Sequence, residues 1–266
     1  MKFSKDSAVR LAGDHYVGEI RPGWDIRGNA NGGYLMAIGA RAMADASRPH
    51  PVSVTAHFLS PGKVGDISVT PHVIKQGRTF TTVRASMHGP DKQIIELLGS
   101  FGDVENVDGE VLVDAEPPTL PPPDECVRVV PHERGFPPPM MGQVDMRLHP
   151  EDAGFSSGQP SGQPVVRGWI RLLEDEPADA FALMLIADAF PPTVFNAKLP
   201  MTWVPTLEMT TQVRGVPEPG WLRCKFSTRF VTGGVLEEDG EIWDSSGRLV
   251  ALSRQLALTP RPRSKQ

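Results

Sequence analysis

The sequence is short of most features that announce a chemistry outright. It has two cysteines, Cys126 and Cys224, at no metal-ligand spacing, so a disulfide framework and a zinc ribbon are not supported and reduced thiols in the cytoplasm are expected. No run approaches the roughly 18 apolar residues that a membrane-spanning helix needs, and the opening segment MKFSKDSAVRLAGDHYVGEI lacks the apolar core of a secretory signal, so no membrane insertion is expected. Basic residues are not in excess. Scattered Lys and Arg number 27 against 32 Asp and Glu, a net charge of -5, which argues against a nucleic-acid face. The seven histidines, at 15, 50, 57, 72, 88, 132 and 149, form neither H-x-x-x-H nor HExxH, so no metal is expected. Neither a serine-nucleophile elbow of the G-x-S-x-G kind nor a phosphate loop is read here, since the glycines of NGGY lack a trailing Lys-Ser/Thr. No cofactor is called for.

Proline and glycine, by contrast, are plentiful, 27 and 26 residues. Prolines crowd the stretch EPPTLPPPDECVRVVPHERGFPPPM, which cannot form an ordinary helix or central strand because proline fixes φ and has no N–H to donate. It is expected to be a linker, which divides the chain into 1–106, a connection 107–139, and 140–266. A Gly/Ser/Pro-rich loop, GFSSGQPSGQP, follows at 154–164.

The same order of patterns recurs on both sides of the linker. A helix over 31–46, NGGYLMAIGARAMADA, precedes strand-like runs at 52–59, 66–76, 79–89 and 92–102; a helix over 178–190, ADAFALMLIADAF, precedes runs at 203–214, 221–231, 236–244 and 248–259. The runs alternate or are β-branched and end in turns such as HGPDK and DSSGR. Both helices are apolar nearly all round, which predicts that each is buried and wrapped lengthwise by a sheet. Within the second, ALMLIADAFPPTVF places one acid, Asp188, among Leu, Ile and Phe just before Pro191-Pro192. A carboxylate there costs several kcal/mol unless something compensates.

Those features together resemble the bacterial thioesterase II type of acyl-CoA thioesterases. The likeness rests on NGGYLMA at the first helix, HFLSPG at 57–62, IKQGRTFTTVRASM at 74–87, and the C-terminal sheet ending in GRLVA-x-x-x-Q. It implies an α+β double hotdog: two antiparallel sheets, each wrapping a central apolar helix, fused in one chain. It also implies a homo-oligomer in fatty acid metabolism that hydrolyses acyl-CoA to free acid and coenzyme A. In the family a water is activated by Asp, Thr and Gln, which match Asp188 in IADAFPP, Thr206 in VPTLEM and Gln255 in ALSRQLAL. The chain departs from the family at Glu208, where the relatives carry Asp, and at Met209, where many carry His.

The residues themselves suit this chemistry. Asp188 can take the proton of an attacking water, Thr206 and Gln255 can hold that water by hydrogen bonds, and a raised pKa from burial would favour the base role. The amides of Gly32 and Gly33 at the first helix N-terminus are candidate donors to the thioester carbonyl. Asn31 is expected to cap that helix or line the pocket, and Arg78, with Arg27 and Arg229, to meet coenzyme A phosphates. The competing expectations are a non-catalytic acyl-CoA or lipid-binding module on the same fold, and a hydratase, for which the catalytic His motif is missing.

Overall fold

A computed structural model describes residues 2–103, 110–133, 136–197 and 199–259. The chain opens with one helical turn, α1 (Phe3–Asp6), and the strands β1 (Arg10–Ala12) and β2 (His15–Ile20). A tight hairpin of β3 (Asp25–Ile26) and β4 (Asn29–Ala30) leads into helix α2 (Gly32–Asp45). Then come β5 (His50–Phe58), β6 (Gly65–Gln76), β7 (Thr81–His88) and β8 (Gln93–Gly102). Strands β9 (Val127–Val129), β10 (Val144–Leu148) and β11 (Val165–Leu172) precede helix α3 (Ala182–Ala187). The chain continues with β12 (Thr206–Val213), β13 (Leu222–Ser227), β14 (Val231–Thr232), β15 (Val235–Trp243) and β16 (Leu249–Leu258).

Two separate sheets were expected, but the strands form one. The order β1-β2-β6-β7-β8-β5-β12-β16-β15-β13-β11-β10-β9, with β14 beside β15, is a single 14-stranded antiparallel sheet. Its halves repeat each other: β2-β6-β7-β8-β5 on one side has the order β11-β13-β15-β16-β12 on the other. They join where β5 pairs with β12, Thr55 opposite Thr210, whose hydroxyls lie 2.8 Å apart. The strand that leaves each helix thus pairs with its counterpart, and the edge strands β1 and β9 are three residues long, which limits further pairing. Strand β9 lies inside the stretch expected to be linker and pairs with β10, so the second half of the sheet begins at Val127.

Helix α2 forms where the apolar run is preceded by a good cap. The Asn31 Oδ1 accepts the Tyr34 N–H at 2.9 Å, and from Gly33 to Ala44 every residue but Arg41 is buried. Full burial of each Leu, Ile or Met contributes roughly 1.5–3 kcal/mol. Helix α3 is shorter than the expected 178–190. Asp179 Oδ1 accepts the amides of Phe181 and Ala182, and Asp188 closes the far end at φ -117°, ahead of Pro191-Pro192. The two helices pack on each other, and α3 also lies against β12, β15 and β16.

Candidate active site

Asp188 stands where the C-terminus of α3 meets the N-terminus of α2. Its Oδ2 accepts the Asn31 Nδ2 at 2.7 Å and the Gly33 N–H at 3.0 Å, and the Gly32 amide also favours its charge. The same Asn31 Nδ2 donates to the Asp188 carbonyl oxygen at 2.8 Å, satisfying a carbonyl that the end of α3 leaves without a helical partner. Asn31 therefore caps one helix with its oxygen and clamps the other with its nitrogen. The hairpin ahead of it is fixed by Asn31 N–H to the Trp24 carbonyl, 2.9 Å, and by Ala30 N–H to that of Gly62, 3.0 Å.

Two effects compete over the Asp188 charge. Burial disfavours it, while the amides at the N-terminus of α2 and the Asn31 amide stabilise it. Burial prevails and pushes the carboxyl up to about 6. Among the described residues no hydrogen bond engages Oδ1, so the carboxylate is gripped by one oxygen and has the other to offer.

Thr206 and Gln255 come to one face of the sheet next to α3. Gln255, 8% exposed, lies on β16 between Met209 of β12 and Glu238 of β15, and Thr206 lies opposite Ala257. A bulge between Thr206 and Glu208 matters here, because strand side chains alternate faces. The extra residue, Leu207, points outward, and Thr206 shares the inner face with Met209 and Gln255. Among the described residues no direct hydrogen bond joins Asp188 to Thr206 or Gln255.

The remaining expected site residues fall differently. The amides of Gly32 and Gly33 serve Asp188 rather than standing free for a substrate carbonyl. Their lack of a side chain serves close packing: a Cβ on Gly33 would be driven into the Met184 carbonyl oxygen and lie 2.9 Å from Leu185 Cα, and one on Gly32 would lie 2.8 Å from the Phe58 ring. Arg78 is not brought to the site. It is exposed in the β6–β7 connection, where its carbonyl accepts from Arg48 at 3.0 Å, beyond the C-terminal end of α2. A 14-residue helix spans about 21 Å, which separates Arg78 from Asp188.

Two cavities differ in the same way. The larger, 690 Å³, lies at the C-terminal end of α2, and its arginines are already engaged, Arg41 by Asp179 and Arg48 by carbonyls. The smaller, 460 Å³, is lined by Arg27, Met201, Trp203, Pro205 and Leu258. It adjoins Thr206 on one side and the hairpin that leads to Asn31 on the other.

Comparison with known proteins decides the family. Residues 20–102 match the acyl-CoA thioesterase N-terminal domain and residues 123–259 match the acyl-CoA thioesterase C-terminal domain. The chain belongs to the acyl-CoA thioesterase family. A structure from Thermobifida fusca assigned to thioesterase II is 32% identical, with TM-score 0.86 over 98% of both chains. A hotdog-fold protein of unknown function from Alicyclobacillus acidocaldarius superposes with TM-score 0.85 at 22% identity, over 98% of both chains. An uncharacterised protein from Mycobacterium tuberculosis is 26% identical over 92% of this chain and 91% of its own length.

This member of the acyl-CoA thioesterase family also holds a buried acid close to the site that residue-by-residue reading passed over. Glu238, 7% exposed, is the cross-strand partner of Gln255, and its Oε2 lies 2.8 Å from both the amide nitrogen and the hydroxyl of Thr193. A signal was present, since LEEDGEIWD alternates Leu236, Glu238, Gly240 and Ile242 onto the inner face. The sequence also does contain the letters G-x-S-x-G, at Gly154–Gly158, contrary to the reading above. They form a 3-10 turn in which Ser156 donates to the Ala153 carbonyl at 3.0 Å, not a strand-to-helix elbow. Among the described residues no cluster of His, Cys, Asp and Glu could hold a metal, and no helix is long and apolar enough to cross a membrane.

Proposed function

We propose that this chain hydrolyses acyl-CoA thioesters with a water activated by Asp188 and held by Thr206 and Gln255. The observation that carries the reading is the Asp188 clamp: one carboxylate oxygen fixed across two helices, the other unengaged, and a carboxyl raised to about 6. Such a group is ionised at neutral pH yet basic enough to take a proton. In the step, water oxygen bonds to the thioester carbonyl carbon as Asp188 Oδ1 takes the proton. The tetrahedral intermediate then collapses, the C–S bond breaks, and Asp188 returns the proton to the coenzyme A sulfur. The amide of Gln255 and the hydroxyl of Thr206 orient the water and can donate to the developing oxyanion.

The repeated strand order and the paired helices support reading the fold as a double hotdog, with the first half supplying Asn31 and Gly33 and the second supplying the acid. The cavity beside Thr206 suits the nucleotide end of coenzyme A, with the Trp203 indole for a base and the Arg27 guanidinium for phosphate. Arg27 sits at φ 54°, a left-handed conformation that costs about 1–2 kcal/mol outside glycine, and no hydrogen bond or ion pair engages its side chain among the described residues. A panel of acyl-CoA esters assayed with a thiol reagent tests the function. Coenzyme A release supports it, and saturable binding without release would instead leave a binding module.

A further inference from the structure

Glu238 is buried and feels the charge of Asp188, half-buried at the end of α3; two such acids cannot both carry charge cheaply, and the hydrogen-bond partners of each say which one does. Those of Asp188, the Asn31 amide group and the Gly33 N–H, can only donate, so they suit an ionised carboxylate. Glu238 has one donor of that kind, the Thr193 N–H to Oε2 at 2.8 Å, but its other contact opens a chain of hydroxyls. Oε2 lies 2.8 Å from Thr193 Oγ1, which lies 2.8 Å from Thr228 Oγ1, and the latter lies 2.7 Å from the carbonyl oxygen of Glu237. These are three oxygen-to-oxygen contacts, and the two threonines bring only two protons. The Glu237 carbonyl can only accept, so the third proton has one source, the carboxyl of Glu238. Protonated, Glu238 donates to Thr193, Thr193 to Thr228, and Thr228 to the carbonyl, and every contact is filled. Ionised, it leaves two oxygens pressed together with no hydrogen between them.

We propose that Glu238 is a positioning residue kept as the neutral acid beside the charged Asp188, and that loss of its proton sets the alkaline limit of turnover. The role rests on the thioesterase reading above. Glu238 stands directly across the β15–β16 ladder from Gln255 on the inner face. As a neutral acid at the head of its threonine chain it makes no demand on the Gln255 amide. Ionised, it would draw that N–H to itself, away from the water, and place a second negative charge beside Asp188 and the developing oxyanion.

The groups facing Glu238 agree. Asp188 at the end of α3 and Glu237 on its own strand are the charges that act on it; Gln255, Thr193 and Thr228 are neutral, and no Lys, Arg or His among the described residues bonds to it. Burial above all, helped by the charges of Asp188 and Glu237, pushes the Glu238 carboxyl up to about 7 against the pull of the Thr193 N–H.

Two measurements test the assignment. In protein labelled with 13C at the Glu side-chain carboxyls, with Glu238→Gln used to assign the resonance, Glu238 is expected to titrate well above an ordinary glutamate, and lower in Asp188→Asn, where the neighbouring charge is gone. Titration in the ordinary range near 4.3, or a midpoint unmoved by Asp188→Asn, overturns the proposal. This readout needs no turnover, so it stands apart from failure of the thioesterase reading. In the activity assay, wild-type kcat/KM is expected to decline above neutral pH, and Glu238→Gln, which cannot ionise, to remove that decline, raising the ratio of kcat/KM at pH 8.5 to that at pH 6.5 about tenfold. An alkaline limb that coincides with the wild type, or a hundredfold loss at every pH, contradicts it.

Discussion

Replacing Asp188 by Asn separates the chemistry of this residue from its structural role. The new side-chain oxygen can take the place of Oδ2, accepting from Asn31 and Gly33, and its NH2 then occupies the position of Oδ1. The clamp is retained while the proton acceptor is lost. A positioned general base contributes roughly 10²–10⁴-fold, so kcat/KM is expected to fall by about that factor. Stability should move the other way. The carboxyl rises from 3.8 in the unfolded chain to about 6 in the fold, so between those values the native state binds more protons and loses stability as pH increases. Once Asp188 is fully ionised this amounts to about 3 kcal/mol, at 1.36 kcal/mol per pH unit. The amide of Asp188→Asn has no charge to desolvate, so the variant should be far less active yet more stable at pH 7, by at most about 3 kcal/mol. Thiol release from acyl-CoA and chemical denaturation at pH 7 read the two effects. Near-full activity, or destabilisation by more than about 1 kcal/mol, would refute the reasoning.

Other substitutions probe the supports. Asn31→Ala removes both a helix cap and the Asp188 clamp: thermal denaturation should show a loss of at least about 1 kcal/mol, with kcat falling as well. Gly33→Ala forces a methyl into the contact between α2 and α3, and urea unfolding should show about 1–3 kcal/mol of destabilisation together with reduced activity. The wild-type kcat/KM should rise with pH through about 6 as Asp188 loses its proton, an acid limb absent from Asp188→Asn. A limb centred near 4 would show that burial does not tune the base.

How much of this the sequence reveals varies from element to element for physical reasons. Helix α2 was legible within a residue or two, because Asn31 caps an uninterrupted apolar run. Helix α3 was not, since the apolar residues around it are buried on all sides whether or not they are helical, and Asp179 and Asp188 set its ends. Strands β1, β2, β9, β10 and β11 were not among the expected runs; all but β11 are short, β9 and β10 adjoin proline-rich chain, and pairing with their neighbours makes them strands. The join of β5 to β12 is a long-range pairing with no local pattern. At the site, Asp188 stood out as an acid on an apolar helix, and Asn31 as a cap. That one asparagine grips both helices depends on their approach, which Gly33 permits. Thr206 faces inward only through the bulge at Leu207, and Glu238 gains meaning only opposite Gln255.

The most direct test of the central claim follows oxygen through one turnover. With enzyme in excess over acyl-CoA in 18O-labelled water, a water activated by Asp188 puts one 18O into the first molecule of free acid and none into the protein. Label in the Asp188 carboxylate, with unlabelled oxygen in the first acid released, would make Asp188 a nucleophile and contradict the account.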